Sequence, residues 1–337
     1  MMKALRPLVL IFISALAAFA QISSLNDKAW ALAQEKKFAE AAEIYKQLIA
    51  QDPTDGRSLT NLSWCYLEVK KFAEAVTIAR RAVEVRAGDH VSHNNLGYGL
   101  FMLGQNEAAV DALTESVALN ASYEQSRVNL GLALMKTGKE DAAISQFKAA
   151  LGINTDSIGA LNNLVSIYFR SARYKDAIAL LETLIRLEPQ KARHFAGLGG
   201  AYINSGKHLK AVEAFQRAVE LEPDEIQHVK NLAVAQSGAG KRDEAIGTLT
   251  QILAKRPKDF DTLFGLAIEN NQLLRFDAAI DFAKRALIVR PDSSDALMMI
   301  AMSYIAKRDK ENARLYLPRL RELNEDMAKV VEKALEN

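Results

Sequence analysis

The sequence predicts an all-α solenoid of nine equal two-helix units, and three observations carry this prediction. An alanine recurs every 34 residues, from Ala41 through Ala75, Ala109, Ala143, Ala177, Ala211, Ala245 and Ala279 to Ala313, without one inserted residue. A second ladder at the same step runs Leu62, Leu96, Leu130, Leu164, Leu198, Leu232, Leu266 and Ile300. The composition is 49% hydrophobic, rich in Ala, Leu, Glu, Lys and Arg and poor in proline, which suits helices that pack on one another. Repetition at this period marks stacked supersecondary units, each burying its apolar face on the next.

Ahead of the repeats, Lys3 and Arg6 form a short basic region, Leu8 to Ala17 is apolar, and Ala18-Phe19-Ala20 offers a small-x-small cleavage pattern. Residues 1–20 are therefore expected to be a signal peptide cleaved after Ala20. The apolar run falls short of the roughly 20 residues that span a bilayer, and no second such run follows. Cleavage removes two basic residues and no acidic ones, so the 43 Lys and Arg become 41, against 41 Asp and Glu. A formally neutral mature chain lacks the global basic footprint of a nucleic-acid or anionic-lipid binder. The lone cysteine, Cys65, cannot form an intramolecular disulfide, and reads as a small buried hydrophobe.

The ladders divide the rest of the chain into units 22–55, 56–89, 90–123, 124–157, 158–191, 192–225, 226–259, 260–293 and 294–327. The sixth shows the pattern most plainly. Ala192 to Ser205 carries apolar residues at helical spacing, Gly206-Lys207 breaks it, Leu209 to Leu221 resumes it, and Pro223 ends it. Pro53, Pro189, Pro257 and Pro291 occupy the equivalent place elsewhere, just beyond a helix end where proline is tolerated. One place after the leucine ladder the residues are mostly small: Ala29, Ser63, Gly97, Gly131, Gly199, Ala233, Ala267 and Ala301, with Val165 as the odd member. Short side chains there let helices approach closely. The ninth unit has Pro318 inside its second helix. A final helix within 324–337, with Met327, Val330, Val331 and Leu335 on one face, is expected to cap the stack.

These ladders resemble the tetratricopeptide repeat family, with the sixth unit giving the fullest pattern: Phe195, Leu198-Gly199, Tyr202, Gly206, Ala211, Phe215, Ala218 and Pro223. The resemblance implies a right-handed superhelical solenoid of helix-turn-helix repeats, with the first helix of each pair lining a concave groove. It also implies a protein-binding function, since in some such superhelices an asparagine row holds peptide chains.

Positions just before the ladder leucines are expected to face that groove, and they carry Asn61, Asn95, Asn129, Asn163 and Asn231, joined one place earlier by Asn94 and Asn162. Carboxamides donate and accept together, so such a row can pair with the backbone of an extended peptide. Replacing Asn95 and Asn129 is accordingly expected to weaken binding while leaving the melting temperature nearly unchanged. Beside the asparagines, Trp64, Leu67, Tyr98, Phe101, Met102, Leu132, Met135 and Phe169 form an expected apolar wall. Aromatic anchors are enriched at binding hot spots and methionine adapts to varied partners.

No converging acid, base or nucleophile is apparent, and neither a metal nor a cofactor is expected. His90 and His93 are three apart, but no third ligand at helical spacing joins them. Gly197-Leu198-Gly199-Gly200 lies in a repeat helix, where no phosphate loop forms. The sequence thus points to an exported, periplasmic or secreted, non-enzymatic scaffold that binds a protein or peptide partner. The alternative is an accessory subunit docking to a cell-envelope enzyme or a polysaccharide or protein export machine.

Overall fold

In the computed structural model, residues 23–336 are described, and the expected signal peptide, residues 1–20, lies outside them. Among the described residues every regular element is helical. They divide into two compact units, one ending at Leu164 and the other beginning at Val165.

The first unit contains α1 (residues 23–34), α2 (Phe38–Gln51), α3 (Gly56–Glu68), α4 (Phe72–Val85), α5 (His90–Met102), α6 (Asn106–Leu119), α7 (Glu124–Lys136) and α8 (Glu140–Ile153). The boundary between the units falls within α9 (Ile158–Arg170). The second unit continues with α10 (Tyr174–Leu187), α11 (Ala192–Asn204), α12 (His208–Leu221), α13 (Ile226–Gly238), α14 (Arg242–Lys255), α15 (Phe260–Gln272), α16 (Phe276–Val289) and α17 (Ser294–Ala306). It ends in α18 (Lys310–Arg314), α19 (Leu317–Leu323) and α20 (Glu325–Glu336).

All nine ladder alanines are fully buried at 0% exposure, and every ladder leucine and Ile300 is buried as well. Space for these crossings comes from complementary sizes. A Cβ built on Gly97, Gly131 or Gly199 would meet Leu113, Phe147 or Phe215, sixteen residues on, at 2.4, 2.6 and 2.7 Å respectively. In two of the repeats without that glycine, those with Val165 and Ala233, the residue sixteen places on leans elsewhere. Leu181 reaches to 3.1 Å from the Cβ position of Gly197, and Leu249 to 3.3 Å from that of Gly265.

The turn between paired helices is equally periodic. Lys36, Lys70, Gly104, Gly138, Ala172, Gly206, Gly240, Leu274 and Arg308 all have positive φ, between 54° and 76°. In the third repeat Gly104 N donates to Phe101 O and Gln105 N to Leu100 O, both at 2.9 Å, closing the end of α5. Several first helices begin with side-chain caps. Asp55 accepts from the Arg57 and Ser58 amides, Asp259 from that of Thr262, and Ser293 from that of Ala296.

The last repeat departs from this plan. Its second helix is split into α18 and α19, which places Pro318 in the first turn of α19, where a missing N–H leaves no hydrogen bond unmade. Leu315 at the break is exposed. Ala328, Val331 and Leu335 of α20 are buried with Leu297, Ala301, Ala313 and Leu320. Val330, expected on that buried face, is half exposed, because the face follows 328, 331 and 335 and position 330 turns outward.

Candidate partner-binding groove

The principal cavity of the first unit, about 850 Å³, opens along α1, α3, α5, α7 and the start of α9. Trp30, Trp64, Tyr98 and Leu132 line it, one from each successive repeat and each 34 residues from the last. The Trp30 and Trp64 rings stand 6.0 Å apart at 44° to one another, and Phe38 supports Trp64 edge-on at 5.3 Å. Trp30 is half exposed. Inter-repeat turns add Arg86, Asp89 and Tyr123 to the rim, and Arg57 closes the end nearest α1.

Of the asparagines expected in the groove, Asn61, Asn94, Asn95, Asn129 and Asn163 line this cavity. Their hydrogen-bonding groups are largely engaged within the protein. Asn95 Nδ2 donates to Thr60 O at 3.1 Å and Ser63 Oγ at 2.9 Å in the preceding repeat. Asn129 Nδ2 donates to Asn94 Oδ1 at 2.9 Å, while Asn129 Oδ1 accepts from Gln125. Asn94, Asn95 and Asn129 are all buried. Asn162 and Asn163 donate to carbonyls one turn back on their own helix, Ile158 O and Gly159 O. Asn61 makes a long bond, 3.3 Å, to the Tyr45 hydroxyl. Asn95 and Asn129 thus stitch successive first helices together, and replacing them removes bonds of the fold itself. From these bonds a loss of stability is the expected result of that replacement, in place of an unchanged melting temperature.

Leu67 also lines the cavity and is buried, whereas Asn162 and the remaining expected residues lie outside it. Phe101 stacks on Tyr98 at 6.4 Å, Met102 is exposed at the end of α5, and Met135 is half-buried. Phe169 and Asn231 belong to the second unit, where Phe169 meets Tyr174 edge-on at 5.8 Å and Asn231 accepts from Gln227. Sequence reasoning passed over Trp30, although it stands one period before Trp64. It also passed over Arg57, Arg86, Asp89 and Tyr123, which the leucine register does not mark.

The charges around the cavity are mostly paired. Burial pushes the Asp89 carboxyl up, but hydroxyl bonds from Ser92 (2.6 Å) and Thr60 (3.1 Å) and the Arg86 guanidinium at 3.6 Å outweigh it and hold the group below the ordinary carboxylate value. Glu68 accepts from the Trp64 indole at 3.1 Å. Arg57 makes no ion pair with the described residues. Cys65 is buried, and burial pushes its thiol up to about 12.

A smaller cavity in the second unit, about 270 Å³, is lined by Val234, Ile268, Gly265 and Lys230 among others. Lys230 is held by Asp259 at 3.0 Å and Asp261 at 3.4 Å. His93 contacts the Ala87 carbonyl and His90 faces Asn120 and Tyr123, so the two histidines have separate partners. Among the described residues no group of three His, Cys, Asp or Glu side chains could hold a metal ion, and no helix is long and apolar enough to cross a membrane.

Paired helices at a fixed period, with binding surface drawn from the first helix of each pair, define an α-helical repeat scaffold. Profiles of the tetratricopeptide repeat match residues 32–93, 94–158, 162–226, 231–296 and 295–324, and the chain belongs to the tetratricopeptide repeat family. No curated protein matches the sequence. Among solved structures, the C-terminal part of a repeat-containing protein from Cytophaga hutchinsonii is 18% identical, with 82% of this chain and 99% of that one covered and a TM-score of 0.50. That likeness shows the fold. A tetratricopeptide repeat protein from Parabacteroides merdae is 15% identical over 94% of this chain and 99% of its own, at a TM-score of 0.47. YrrB, a tetratricopeptide repeat protein with an unusual peptide-binding site, is 17% identical over 56% and 97%, at 0.48.

Proposed function

We propose that this tetratricopeptide repeat protein is an exported, non-catalytic scaffold that holds an extended segment of a protein partner in the groove of its first unit. One observation carries the binding site: Trp30, Trp64, Tyr98 and Leu132 form a periodic apolar stripe along an open cavity. Aromatic groups left facing solvent in a row are costly unless a partner covers them. Export is supported by the basic, apolar and small-residue sequence of residues 1–20. The absence of catalysis is supported by the engagement of the polar side chains along the groove with one another.

A photocrosslinking amino acid at position 98, compared in cells with one at exposed Ile288, tests the site. Discrete products from position 98 and none from 288 are expected. Equal labelling from both positions, or none from 98, overturns the groove reading. Amino-terminal sequencing of the protein purified from cell fractions tests export. A chain beginning at Gln21 in the exported fraction is expected, and an intact Met1 in the cytosol refutes it.

A further inference from the structure

We infer that the segment held in this groove carries an acidic and a basic side chain four residues apart, with an apolar one midway, and lies along α3 with the acid at Arg57 and the base at Glu68. The inference rests on the groove reading above and adds the chemistry of the partner.

Helix α3 turns one face to the cavity. Arg57, Asn61, Trp64 and Glu68 all line it, and their spacing stacks them one above another along the helix. In order along the axis this face offers a cation, an amide, an indole and an anion. Both charged side chains are exposed. Arg57 forms no ion pair with Asp27 or Asp55, which share a smaller adjoining cavity with it, and the Asp55 carboxylate is engaged in capping α3. Among the described residues Glu68 pairs with no cation and accepts from the Trp64 indole. The other two charges lining the cavity, Arg86 and Asp89, face each other at 3.6 Å.

Arg57 and Glu68 work against the helix that carries them. A helix dipole is positive at its amino-terminal end and negative at its carboxy-terminal end, yet Arg57 stands in the first turn of α3 and Glu68 is its last residue. Nor does the repeat frame require these charges, since the third repeat has Val91 and Met102 at the same places. A cation and an anion that neither pair within the protein nor suit their helix, on a face lining an open cavity, complement a partner whose charges run in the opposite order.

Distance sets the spacing on that partner. Eleven helical residues carry the chain about 16 Å from Arg57 to Glu68. In an extended segment residues i, i+2 and i+4 share one face, and i and i+4 lie about 13 Å apart. The long Arg57 and Glu68 side chains close the remainder by leaning inward. The midway residue then meets Trp64 and half-exposed Trp30. Asn61 gives its Nδ2 to the Tyr45 hydroxyl and keeps its Oδ1 for a backbone N–H of the segment.

Trp30 and Trp64 are the chain's two tryptophans, so indole emission reports on this cavity directly. The full chain is titrated with a blocked seven-residue peptide that has glutamate second, leucine fourth, lysine sixth and serine elsewhere. The same peptide in reversed order is titrated beside it, because the charges do not set the chain direction, and a third carries glutamine in place of both charges. The expected result is an emission change with at least one charged peptide, at an affinity about tenfold or more above that of the glutamine peptide and falling with added salt. Arg57→Gln is expected to weaken that peptide about threefold or more, and to change nothing once its glutamate is glutamine; Glu68→Gln should behave likewise toward its lysine. The urea midpoint of both variants is expected to hold or rise, because each loses a charge from the unfavourable end of α3. A fall in that midpoint makes these charges parts of the fold and overturns the inference. Equal binding of charged and uncharged peptides, or an unchanged emission with all three at millimolar concentration, overturns it as well, and photocrosslinking from position 98 then decides the groove reading separately.

Discussion

Replacing Asn95 by aspartate changes one NH2 to oxygen at constant shape, and the structure specifies what that oxygen would face. Asn95 is buried at 3% exposure, and its Nδ2 donates to two acceptors, Thr60 O and Ser63 Oγ. Ser63 Oγ donates to Thr60 O at 2.7 Å, so an ionised carboxylate would face the Thr60 carbonyl and gain a donor only if the Ser63 hydroxyl turned away from it. Two hydrogen bonds at about 1 kcal/mol each, plus the desolvation of an uncompensated buried charge, give a loss of about 3–5 kcal/mol at neutral pH. Asn95→Ala should cost less, about 1–2 kcal/mol, because the Thr60 carbonyl keeps its Ser63 donor and leaves no charge behind. The acid form of the introduced carboxyl can donate, so its folded pKa lies above its unfolded value of about 3.9. Its stability is then fully present below that unfolded value and lost as pH rises through the folded one. At 1.36 kcal/mol per unit, 3 kcal/mol corresponds to about two units, which puts the loss between about pH 4 and pH 6. Urea denaturation of the two variants and the parent, followed by far-ultraviolet circular dichroism at pH 4.5 and pH 7, measures the difference. A deficit of Asn95→Asp that is the same at both pH values, or smaller than that of Asn95→Ala at pH 7, would refute the inter-repeat role of this amide.

The positive-φ turns predict opposite outcomes at equivalent sites: Leu274→Gly should gain about 0.5 kcal/mol by relieving a left-handed leucine, while Gly104→Ala should lose about 1 kcal/mol, both read as shifts in the urea midpoint. Gly199→Ala places a methyl within 2.7 Å of the buried Phe215 ring and should cost about 1–3 kcal/mol, with Phe215→Leu in the same chain recovering part of the loss. In Asp89 and Asp259, hydroxyl bonds and a neighbouring cation outweigh burial and depress the carboxyl pKa. Their contribution is present above the ordinary carboxylate pKa of about 4 and lost as pH falls through the depressed values, so Asp89→Asn should flatten part of the acid limb of stability against pH.

How legible the molecule is in its sequence depends on which question the spacing answers. A strict period fixes where each helix pair recurs, and helical geometry fixes which side chains turn inward. The buried alanines from Ala41 to Ala313 and the buried ladder leucines follow from those two facts alone. The same period places Trp64, Tyr98 and Leu132 on one face, and would have added Trp30. Period and angle do not say which neighbour a side chain engages. Asn95 has the same polarity whether it meets a peptide or Thr60, and only the packed distance between α3 and α5 brings it to the latter. Gly197 and Gly265 stand at the place that Asn95 and Asn129 hold in other repeats. In the structure they are the room into which Leu181 and Leu249 lean, in repeats where Val165 and Ala233 stand at the place that Gly97, Gly131 and Gly199 hold in three others.

The sequence by itself determined the repeat, its helix pairs and the aromatic stripe, because these are properties of spacing along one chain. The tertiary structure decided which amides bond between repeats, and how Arg57, Arg86, Asp89 and Tyr123 complete the cavity. Those side chains come from helix ends and turns, and their meeting depends on how tightly neighbouring repeats stack, a distance set by side-chain volume that no periodicity contains.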